Sequence, residues 1–375
     1  MSANDTAPPS ALRVAVAVEQ LWHRVPGGTG RATRETMLGL NRLSSLNVQG
    51  VAAWHRRDRR TPSRDLGSVA FLPLPRPVLY ESWLRTDRPR VERHVGPIDV
   101  AWASAMVPVS SRAPLVATVH DLGFLDQPDH NSRRGRSFFP RAWREVRDRA
   151  HIIVCPSQIV ADDCERHGVE AGRLAVVPWG VSAPISSPDE VDEVRARWGL
   201  PERFVLWVGT MEPRKNLPRL VEAVRLLGDV DLAVVGPDGW NLDGADVLAP
   251  LEARVHRLGI VDDHQLSVLY RAASVFAYPS LLEGFGLPVL EAMAHGTPVV
   301  ASAGTATAEV AGGSARLVDP LDPDDIAAAI RASLDDEPET AALVAAGNKR
   351  AQELTWAATA EGYARVFHRA AGGGP

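Results

Sequence analysis

Short apolar runs rich in β-branched residues alternate with amphipathic stretches along most of the chain. In the first half, this pattern predicts a helix at 31–45 and strands at 12–18, 48–54, 69–72, 99–102, 115–120, 152–156 and 174–178. Most of the strand runs are apolar at nearly every position, as in strands buried on both faces. We therefore expect a parallel sheet covered by helices on both sides.

The same pattern starts again after a Pro- and Ser-rich stretch at 180–188, which is typical of a linker. It then predicts strands at 204–208, 232–235, 274–278, 298–301 and 315–318 and helices at 217–227, 247–258, 288–295 and 326–334. The repetition predicts an α/β protein with two doubly wound, Rossmann-like domains that face each other. Ligands of such sheets bind beyond the carboxyl ends of the strands, which here means in the cleft.

The length of 375 residues suits two domains of roughly 150–200 residues each. We expect a disordered tail at 1–11, an N-terminal domain at 12–185, a C-terminal domain at 186–355 and a last helix at 356–371. That helix is amphipathic and no strand follows it. It should therefore pack back onto an existing surface, and it could reach the N-terminal domain.

Composition excludes several classes of protein. No apolar run approaches the ~20 residues of a membrane helix, and the first residues lack the basic and then apolar pattern of a secretory signal. The two cysteines, Cys155 and Cys164, are too few for a disulfide scaffold or a cysteine zinc site, and they fit the reducing cytoplasm. The net charge of −5 argues against a general nucleic-acid binder, although residues 1–185 carry +7 and residues 186–375 carry −12.

An anion site is predicted where the strand at 204–208 ends. A turn that begins at Gly209 leads to Arg214 and Lys215, two adjacent cations at the start of a helix for which Asn216 is the expected N-cap. A helix N-terminus and two full charges together favour a phosphate group. The alternative is a solvated basic turn.

A second group of candidate residues follows the strand at 274–278. Glu283 and Glu291 flank two glycines, Gly284 and Gly286, that permit close approach of a ligand to the backbone. The free N–H groups of residues 285–287 could bind oxygens of a sugar or a phosphate, and a carboxylate can accept from both hydroxyls of a ribose. The alternative is acidic charge that complements a helix start.

These two segments resemble family 4 glycosyltransferases, which have the GT-B fold, use a nucleotide sugar and retain the anomeric configuration. The shared pattern comprises Gly209, Arg214, Lys215, Glu283, Phe285, Gly286 and Glu291. The resemblance implies that Arg214 and Lys215 hold the donor diphosphate and that Glu291 holds the ribose. It also implies that Glu283 and the backbone of Gly284, Phe285, Gly286 and Leu287 hold the donor sugar.

The N-terminal half resembles the family more loosely. Gly27 and Gly28 follow the first strand as the family's glycine pair does, which implies an approach to the donor phosphate from across the cleft. His120 and Asp121 end a strand and are similar to the family's His-Asp pair, which lies near the transferred sugar. The resemblance thus assigns catalytic roles to His120 and Asp121 together with Glu283. Many relatives have Tyr where this chain has Ala32.

An arginine-rich segment at 131–150 stands out in the basic half. Its first members, Arg133, Arg134 and Arg136, could dock an anionic lipid headgroup or a lipid-diphosphate acceptor. A solvated helix face is the alternative, and nucleic acid is a weaker one. The acidic run at 319–325 precedes a predicted helix, so capping explains its carboxylates. We therefore expect no required metal and no cofactor beyond the nucleotide sugar as co-substrate.

Together these features predict a retaining glycosyltransferase that uses a nucleotide-diphosphate sugar, with GDP-mannose as the first candidate. The acceptor would be a hydroxyl of a glycan or a lipid-linked molecule, in the synthesis of cell-surface polysaccharide or glycolipid. We expect the protein to lie in the cytoplasm, at the inner face of the cell membrane. A nucleotide-sugar epimerase of similar architecture and a non-catalytic nucleotide-sugar-binding subunit are the alternatives.

Overall fold

The computed structural model describes residues 11–23, 27–56, 66–126, 133–184 and 187–372, apart from the side chains of Arg133 and Arg134. The tail predicted at 1–11 lies outside the described residues except for its last position. Part of the predicted linker at 180–188 also lies outside them.

The first half forms a parallel sheet of seven strands. They are β1 (Leu12–Ala17), β2 (Leu46–Ala52), β3 (Val69–Phe71), β4 (Val100–Ala103), β5 (Leu115–Thr118), β6 (Ile152–Cys155) and β7 (Leu174–Val176). Their order across the sheet is β3-β2-β1-β4-β5-β6-β7, with Val14 of β1 opposite both Val48 and Val100. The central strands are buried on both faces, because helices cover each side. All seven predicted strands are confirmed.

Six α-helices lie between these strands in the described residues. They are α1 (Gly27–Leu40), α2 (Arg76–Thr86), α3 (Glu92–Val95), α4 (Gly123–Asp126), α5 (Arg133–Arg149) and α6 (Gln158–Arg166). The N-terminus of α6 is capped by Ser157, whose side chain accepts a hydrogen bond from the Val160 N–H. Helix α1 begins four residues earlier than the sequence predicts, because the glycine-rich loop contributes its first turn.

The second half forms a parallel sheet of six strands. They are β8 (Phe204–Val208), β9 (Asp231–Val235), β10 (Val255–Gly259), β11 (Val275–Tyr278), β12 (Val299–Ser302) and β13 (Arg316–Val318), in the order β10-β9-β8-β11-β12-β13. Its helices are α7 (Pro188–Trp198), α8 (Leu217–Leu227), α9 (Gly244–Leu248), α10 (Asp263–Ala272), α11 (Leu287–Ala294), α12 (Ala306–Ala311), α13 (Pro323–Asp335) and α14 (Glu337–Glu353). Both halves are thus Rossmann-like, as predicted.

The helix predicted at 247–258 is wrong. Helix α9 ends at Leu248, a short 3₁₀ segment spans Ala249–Arg254, and β10 follows as an edge strand. Pro250 cannot continue an α-helix, and Glu252 adopts a positive φ of 49° that interrupts any regular helix. The edge position explains why β10 lacks the continuous apolar run by which the other strands were recognised.

The last helix, α15 (Trp356–Ala371), packs back on the N-terminal sheet. Its Tyr363 hydroxyl is 2.9 Å from the Thr118 hydroxyl of β5, and Tyr363 and Phe367 lie against the buried ring of Trp102. Helix α15 therefore packs on the N-terminal domain, although it follows the C-terminal domain in the sequence.

Candidate functional site

The phosphate-binding loop predicted after β8 forms a tight, buried turn. Residues Pro213–Lys215 make one 3₁₀ turn, and Asn216 adopts a left-handed conformation with φ of 58° before α8 begins. Asn216 occupies the N-cap position, but its side chain does not cap the helix as predicted. Its amide instead donates to the carbonyls of Pro279 and Pro320, at 2.8 and 2.6 Å. These bonds tie the loop to the ends of β11 and β13.

Lys215 is buried and points at Glu283. Its Nζ lies 2.5 Å from Glu283 Oε1 and also donates to the Tyr278 hydroxyl. Burial raises the pKa of Glu283, but the charges of Lys215 and Arg214 outweigh that effect and hold the pKa below its usual range. Burial and the neighbouring Arg214 lower the pKa of Lys215. The pair is thus a fixed ion pair inside the C-terminal domain.

Arg214 lies at the edge of this ion pair, with its side chain 30% exposed. Its Nε forms an ion pair with Glu212 Oε1 at 2.6 Å, whereas Nη1 is 3.4 Å from both Glu283 Oε2 and the Leu282 carbonyl. The pKa of Arg214 is raised, because Glu283 and Glu212 outweigh its burial. Arg214 therefore carries a full positive charge on the cleft side of the cluster.

The backbone after Glu283 lies directly against the opposite domain. A Cβ placed on Gly284 would be 1.6 Å from the carbonyl oxygen of His120, so only glycine fits there. The Ser157 hydroxyl, also from the N-terminal domain, donates to the Gly284 carbonyl at 2.8 Å. Gly286 has φ of 95° and starts α11 at Leu287. The structure therefore brings the predicted sugar-binding backbone next to His120.

His120 is held with one nitrogen uncommitted. Its Nε2 is 2.9 Å from the Ser104 carbonyl, whereas its buried Nδ1 has no partner among the described residues. Burial lowers the pKa of His120, so the ring is neutral at neutral pH. Asp121 follows it and accepts from the Gly123 N–H at 3.2 Å. A buried, unpaired ring nitrogen at this place can hydrogen-bond to a sugar hydroxyl.

Trp179 connects the two sides of the cleft, although the sequence analysis did not single it out. Its ring lies 5.5 Å from that of His120 and 5.3 Å from that of Phe285. Gly28 approaches the same ring, since a Cβ there would be 3.8 Å from it. Gly27 begins α1 with φ of 61°. Gly28 thus lies close to Trp179, while the predicted approach of the glycine pair to the donor phosphate stays a prediction.

Glu291 lies at a second interdomain contact, eight residues after Glu283. Arg31 from α1 reaches it, with 2.5 Å between Nη1 and Oε1, and the Tyr270 hydroxyl donates to Oε2 at 2.9 Å. Burial raises the pKa of Glu291 despite the charge of Arg31. Neither Arg31 nor Tyr270 was predicted from the sequence to have a role at this site.

A cavity of about 520 Å³ opens beside Glu291. It is lined by Arg31, Ser182, Ala183, Pro184, Asp263, His264, Leu266, Ser267, Tyr270, Glu291 and His295. Tyr270 and His295 stack with their ring centroids 5.6 Å apart, so the cavity has both aromatic and polar walls. Its volume is in the range of small-molecule sites.

Comparison with known proteins agrees with this geometry. Residues 26–183 match the family described as Glycosyltransferase Family 4, and residues 190–350 match the one described as Glycosyl transferases group 1. The chain is also 32% identical over 299 residues to D-inositol 3-phosphate glycosyltransferase 1 of Catenulispora acidiphila, covering 72% of this chain and 70% of the relative. The chain belongs to glycosyltransferase family 4.

Within this glycosyltransferase family, relatives and solved structures extend the likeness. O-antigen chain mannosyltransferase B of Escherichia coli is 34% identical over 256 residues, 64% of this chain and 66% of the relative. The match thus spans about two thirds of the length of that relative. The structure of Anabaena HepE in complex with UDP and glucose superposes with a TM-score of 0.73 over 95% of this chain and 99% of the other, at 17% identity. That likeness shows the GT-B fold.

The arginine-rich segment of this family 4 chain forms α5, and much of its charge is paired. Arg141 makes two hydrogen bonds to Glu81 of α2, at 3.0 and 2.6 Å, and Arg149 donates to Asp87 at 2.8 Å. Arg136 is exposed, whereas the side chains of Arg133 and Arg134 lie outside the description. Arg141 and Arg149 in the second half of α5 are therefore paired with acidic side chains, and the patch at Arg133, Arg134 and Arg136 stays a prediction.

The acidic run at 319–325 has a structural explanation. Asp322 caps α13 by accepting from the N–H groups of Asp324 and Asp325, and Asp325 accepts from the Asp319 N–H at 2.7 Å. Among the described residues, no group of three or more His, Cys, Asp or Glu side chains could hold a metal ion. In the same part of the chain, no helix is both long enough and apolar enough to cross a bilayer.

Proposed function

We propose that this chain transfers a sugar from a nucleotide-diphosphate sugar to an acceptor hydroxyl, with retention of anomeric configuration. One observation carries the proposal. The buried Lys215–Glu283 pair and the cleft-facing Arg214 lie beside the backbone that meets His120, and Glu291 lies next to a cavity of about 520 Å³. A diphosphate, a sugar and a nucleoside would occupy these three places in that order.

Each part of the donor has a matching group. Glu291 accepts from the ribose hydroxyls while the base enters the adjoining cavity, whose walls include Tyr270. Arg214 and Lys215 bind the diphosphate through charge-assisted hydrogen bonds, helped by their place at a strand's carboxyl end. Glu283 and the N–H groups that follow it bind the sugar.

The chemistry needs stabilisation of a leaving group more than it needs a nucleophile. As the bond between the anomeric carbon and the phosphate oxygen breaks, negative charge grows on the diphosphate, where Arg214 and Lys215 stabilise it. The acceptor oxygen bonds to the same face of the anomeric carbon, and its proton passes to the departing phosphate oxygen. The neutral His120 ring contributes a hydrogen bond through Nδ1 to a sugar hydroxyl and excludes water from that side.

We propose mannose as the transferred sugar and GDP-mannose as the donor. The relative named a mannosyltransferase supports mannose, whereas the similar structure that holds UDP and glucose keeps other bases open. A thermal-shift screen across GDP, UDP and dTDP sugars tests the donor, because a ligand at 100 times its Kd stabilises by about 2.7 kcal/mol. NMR of the product then gives its anomeric configuration. Conversion of the donor alone would instead indicate an epimerase, and binding without turnover a non-catalytic subunit.

We further propose that no metal ion takes part. The cations available to neutralise the leaving diphosphate are Arg214 and Lys215, and the acidic run at 319–325 serves as helix caps. Activity should therefore survive EDTA. Full inhibition that Mg²⁺ or Mn²⁺ restores would contradict this proposal.

The acceptor is proposed to be a glycan or a lipid-linked molecule used for cell-surface polysaccharide or glycolipid, reached at the cytoplasmic face of the membrane. The first turn of α5 would contact anionic lipid, since each basic residue near such a surface contributes about 1 kcal/mol. Reversing Arg133, Arg134 and Arg136 to Glu should abolish co-sedimentation with anionic vesicles at low salt while donor binding stays unchanged. The matched control is Arg225→Glu, an exposed arginine of α8 in the other domain. A wild type that does not sediment would indicate a water-soluble acceptor.

A further inference from the structure

Glu212 is a buried carboxylate at the proposed phosphate site that the mechanism above does not use. It is 2% exposed and directly precedes the 3₁₀ turn that carries the two cations. The charged groups that face it are Arg214, Lys215, Glu283 and Asp121. A negative charge next to a diphosphate site should weaken donor binding by simple repulsion. Its presence there therefore needs a reason.

The contact with Arg214 supplies that reason. Glu212 Oε1 and Arg214 Nε form an ion pair 2.6 Å apart, whereas the hydrogen bonds donated by Nη1 are long, at 3.4 Å. A guanidinium is planar and rigid, so this close ion-pair contact at Nε restricts where the Nη nitrogens can lie. The Glu212 carbonyl also accepts from the Lys215 N–H at 3.0 Å, which closes the turn.

We propose that Glu212 is a positioning residue that orients the Arg214 guanidinium so that its Nη edge meets the donor diphosphate. The inference rests on the proposed function. Glu212 lies beneath Arg214, with its side chain 2% exposed against 30% for the arginine, so the donor meets the arginine and not the acid. A guanidinium that Glu212 already holds in place loses little conformational freedom when the diphosphate binds, whereas a free one loses much more. This gain in binding free energy exceeds the loss caused by repulsion from the carboxylate.

The proposal can be tested because the two effects of Glu212 have opposite signs. If Glu212 acts only as a charge, Glu212→Ala removes repulsion and anions bind more tightly. If it positions Arg214, the same change weakens binding of the diphosphate. A loss of about 10-fold corresponds to one charge-assisted hydrogen bond. Glu212→Gln keeps an oxygen that can accept from Nε, so it should lie between wild type and Glu212→Ala.

The experiment is isothermal titration calorimetry with GDP, with UDP and with inorganic pyrophosphate. The proteins are wild type, Glu212→Ala, Glu212→Gln, Arg214→Ala and the Glu212→Ala/Arg214→Ala double variant. We expect Glu212→Ala to weaken the best-binding nucleotide about 10-fold and the double variant to bind like Arg214→Ala, since Glu212 acts only through that arginine. Unchanged or tighter binding by Glu212→Ala, or fully additive losses, would overturn the inference.

A measurement of folding and the binding by wild type distinguish the possible causes of a negative result. Thermal midpoints identify any variant that has lost its fold. If Glu212→Ala has done so, Glu212→Gln replaces it in the comparison of single and double variants, because it preserves the volume of the side chain. If wild type binds neither nucleotide, the proposed donor fails and this inference fails with it. If wild type binds and the Glu212 variants bind as well, only this inference fails.

Discussion

Glu283 and Glu291 are two buried glutamates of one motif, and their carboxylates respond to burial in opposite ways. They flank the start of the same helix, α11, and each contacts a cation at 2.5 Å. Yet the pKa of Glu283 is held below its usual range, whereas that of Glu291 is raised. Spacing and residue type are therefore not enough to set the charge of such a group.

The difference comes from the number and the origin of the cations. Glu283 faces Lys215, Arg214 and the Tyr278 hydroxyl, all from its own domain. Glu291 faces one arginine, Arg31, which belongs to the other domain and keeps 30% exposure. The charge of Glu283 is thus built into the C-terminal domain, while the charge of Glu291 depends on how the domains meet. At the proposed sugar end the charge is thus set within one domain, whereas at the proposed ribose end it depends on the contact between the domains.

The largest expected effect is that of Lys215→Ala, which removes the main partner of Glu283. Loss of this donor at the leaving diphosphate should lower kcat/KM by roughly 10²–10³-fold, by analogy with oxyanion-hole donors. It should also lower the thermal midpoint, because breaking the buried ion pair leaves Glu283 with only Arg214 and the Tyr278 hydroxyl of the groups named above. Steady-state kinetics and thermal unfolding measure both.

The matched control is Lys349→Ala, which changes the only other lysine of the chain, an exposed residue of α14. It should leave both quantities unchanged. Near-wild-type kcat/KM in a folded Lys215→Ala protein would remove the phosphate assignment and with it the contrast between the two glutamates.

A smaller effect is expected at the ribose end. Glu291→Gln should raise the donor KM about 10-fold with little change in kcat, since a ribose contact is nearly equal in ground and transition states. Arg31→Ala serves as the comparison, because it removes the interdomain partner and leaves the carboxylate. If kcat collapses in Glu291→Gln while KM stays constant, Glu291 takes part in the chemical step and its proposed role is wrong.

The sequence predicted the strands better than the contacts. The continuous apolar runs located twelve of the thirteen strands, because burial on both faces leaves a strong signal. The prediction from apolar runs missed β10, because this edge strand is half exposed and follows a proline. Helices α7, α10 and α14 were not assigned, since their exposed faces are polar and their apolar stripes are narrow.

For the candidate site, the sequence indicated which loops carry chemistry but not how they meet. Arg214, Lys215 and Glu283 were recognised from residue type and position. Arg31 and Trp179 were not, because each acts across the cleft, and a contact between residues far apart in sequence leaves no periodic pattern. The side chain of Asn216 was misassigned for the same reason: its partners are carbonyls of two other strand ends.

The smallest expected effect concerns the pH dependence of stability, and it tests the contrast most directly. Glu283 has a lowered pKa in the folded state, so its contribution is present above the unfolded value near 4.5 and is lost as the pH falls through the folded pKa. Glu291 has a raised pKa, so its contribution is present below about 4.5 and is lost as the pH rises through the folded pKa.

Thermal midpoints of wild type, Glu283→Gln and Glu291→Gln, measured from about pH 8 to about pH 3, separate the two groups. On acidification, the difference in thermal midpoint between wild type and Glu283→Gln should shrink, because wild type loses the charge on which its ion pair depends. Over the same range, the thermal midpoint of wild type should rise relative to that of Glu291→Gln. The reason is that a buried carboxyl that takes up a proton no longer carries the desolvation cost of its charge. Each variant is the control for the other, since both replace a buried glutamate near the same helix by its amide. If both differences change in the same direction, the two carboxylates have the same charge behaviour, and the division into a sugar end set within one domain and a ribose end that depends on the contact between the domains is wrong.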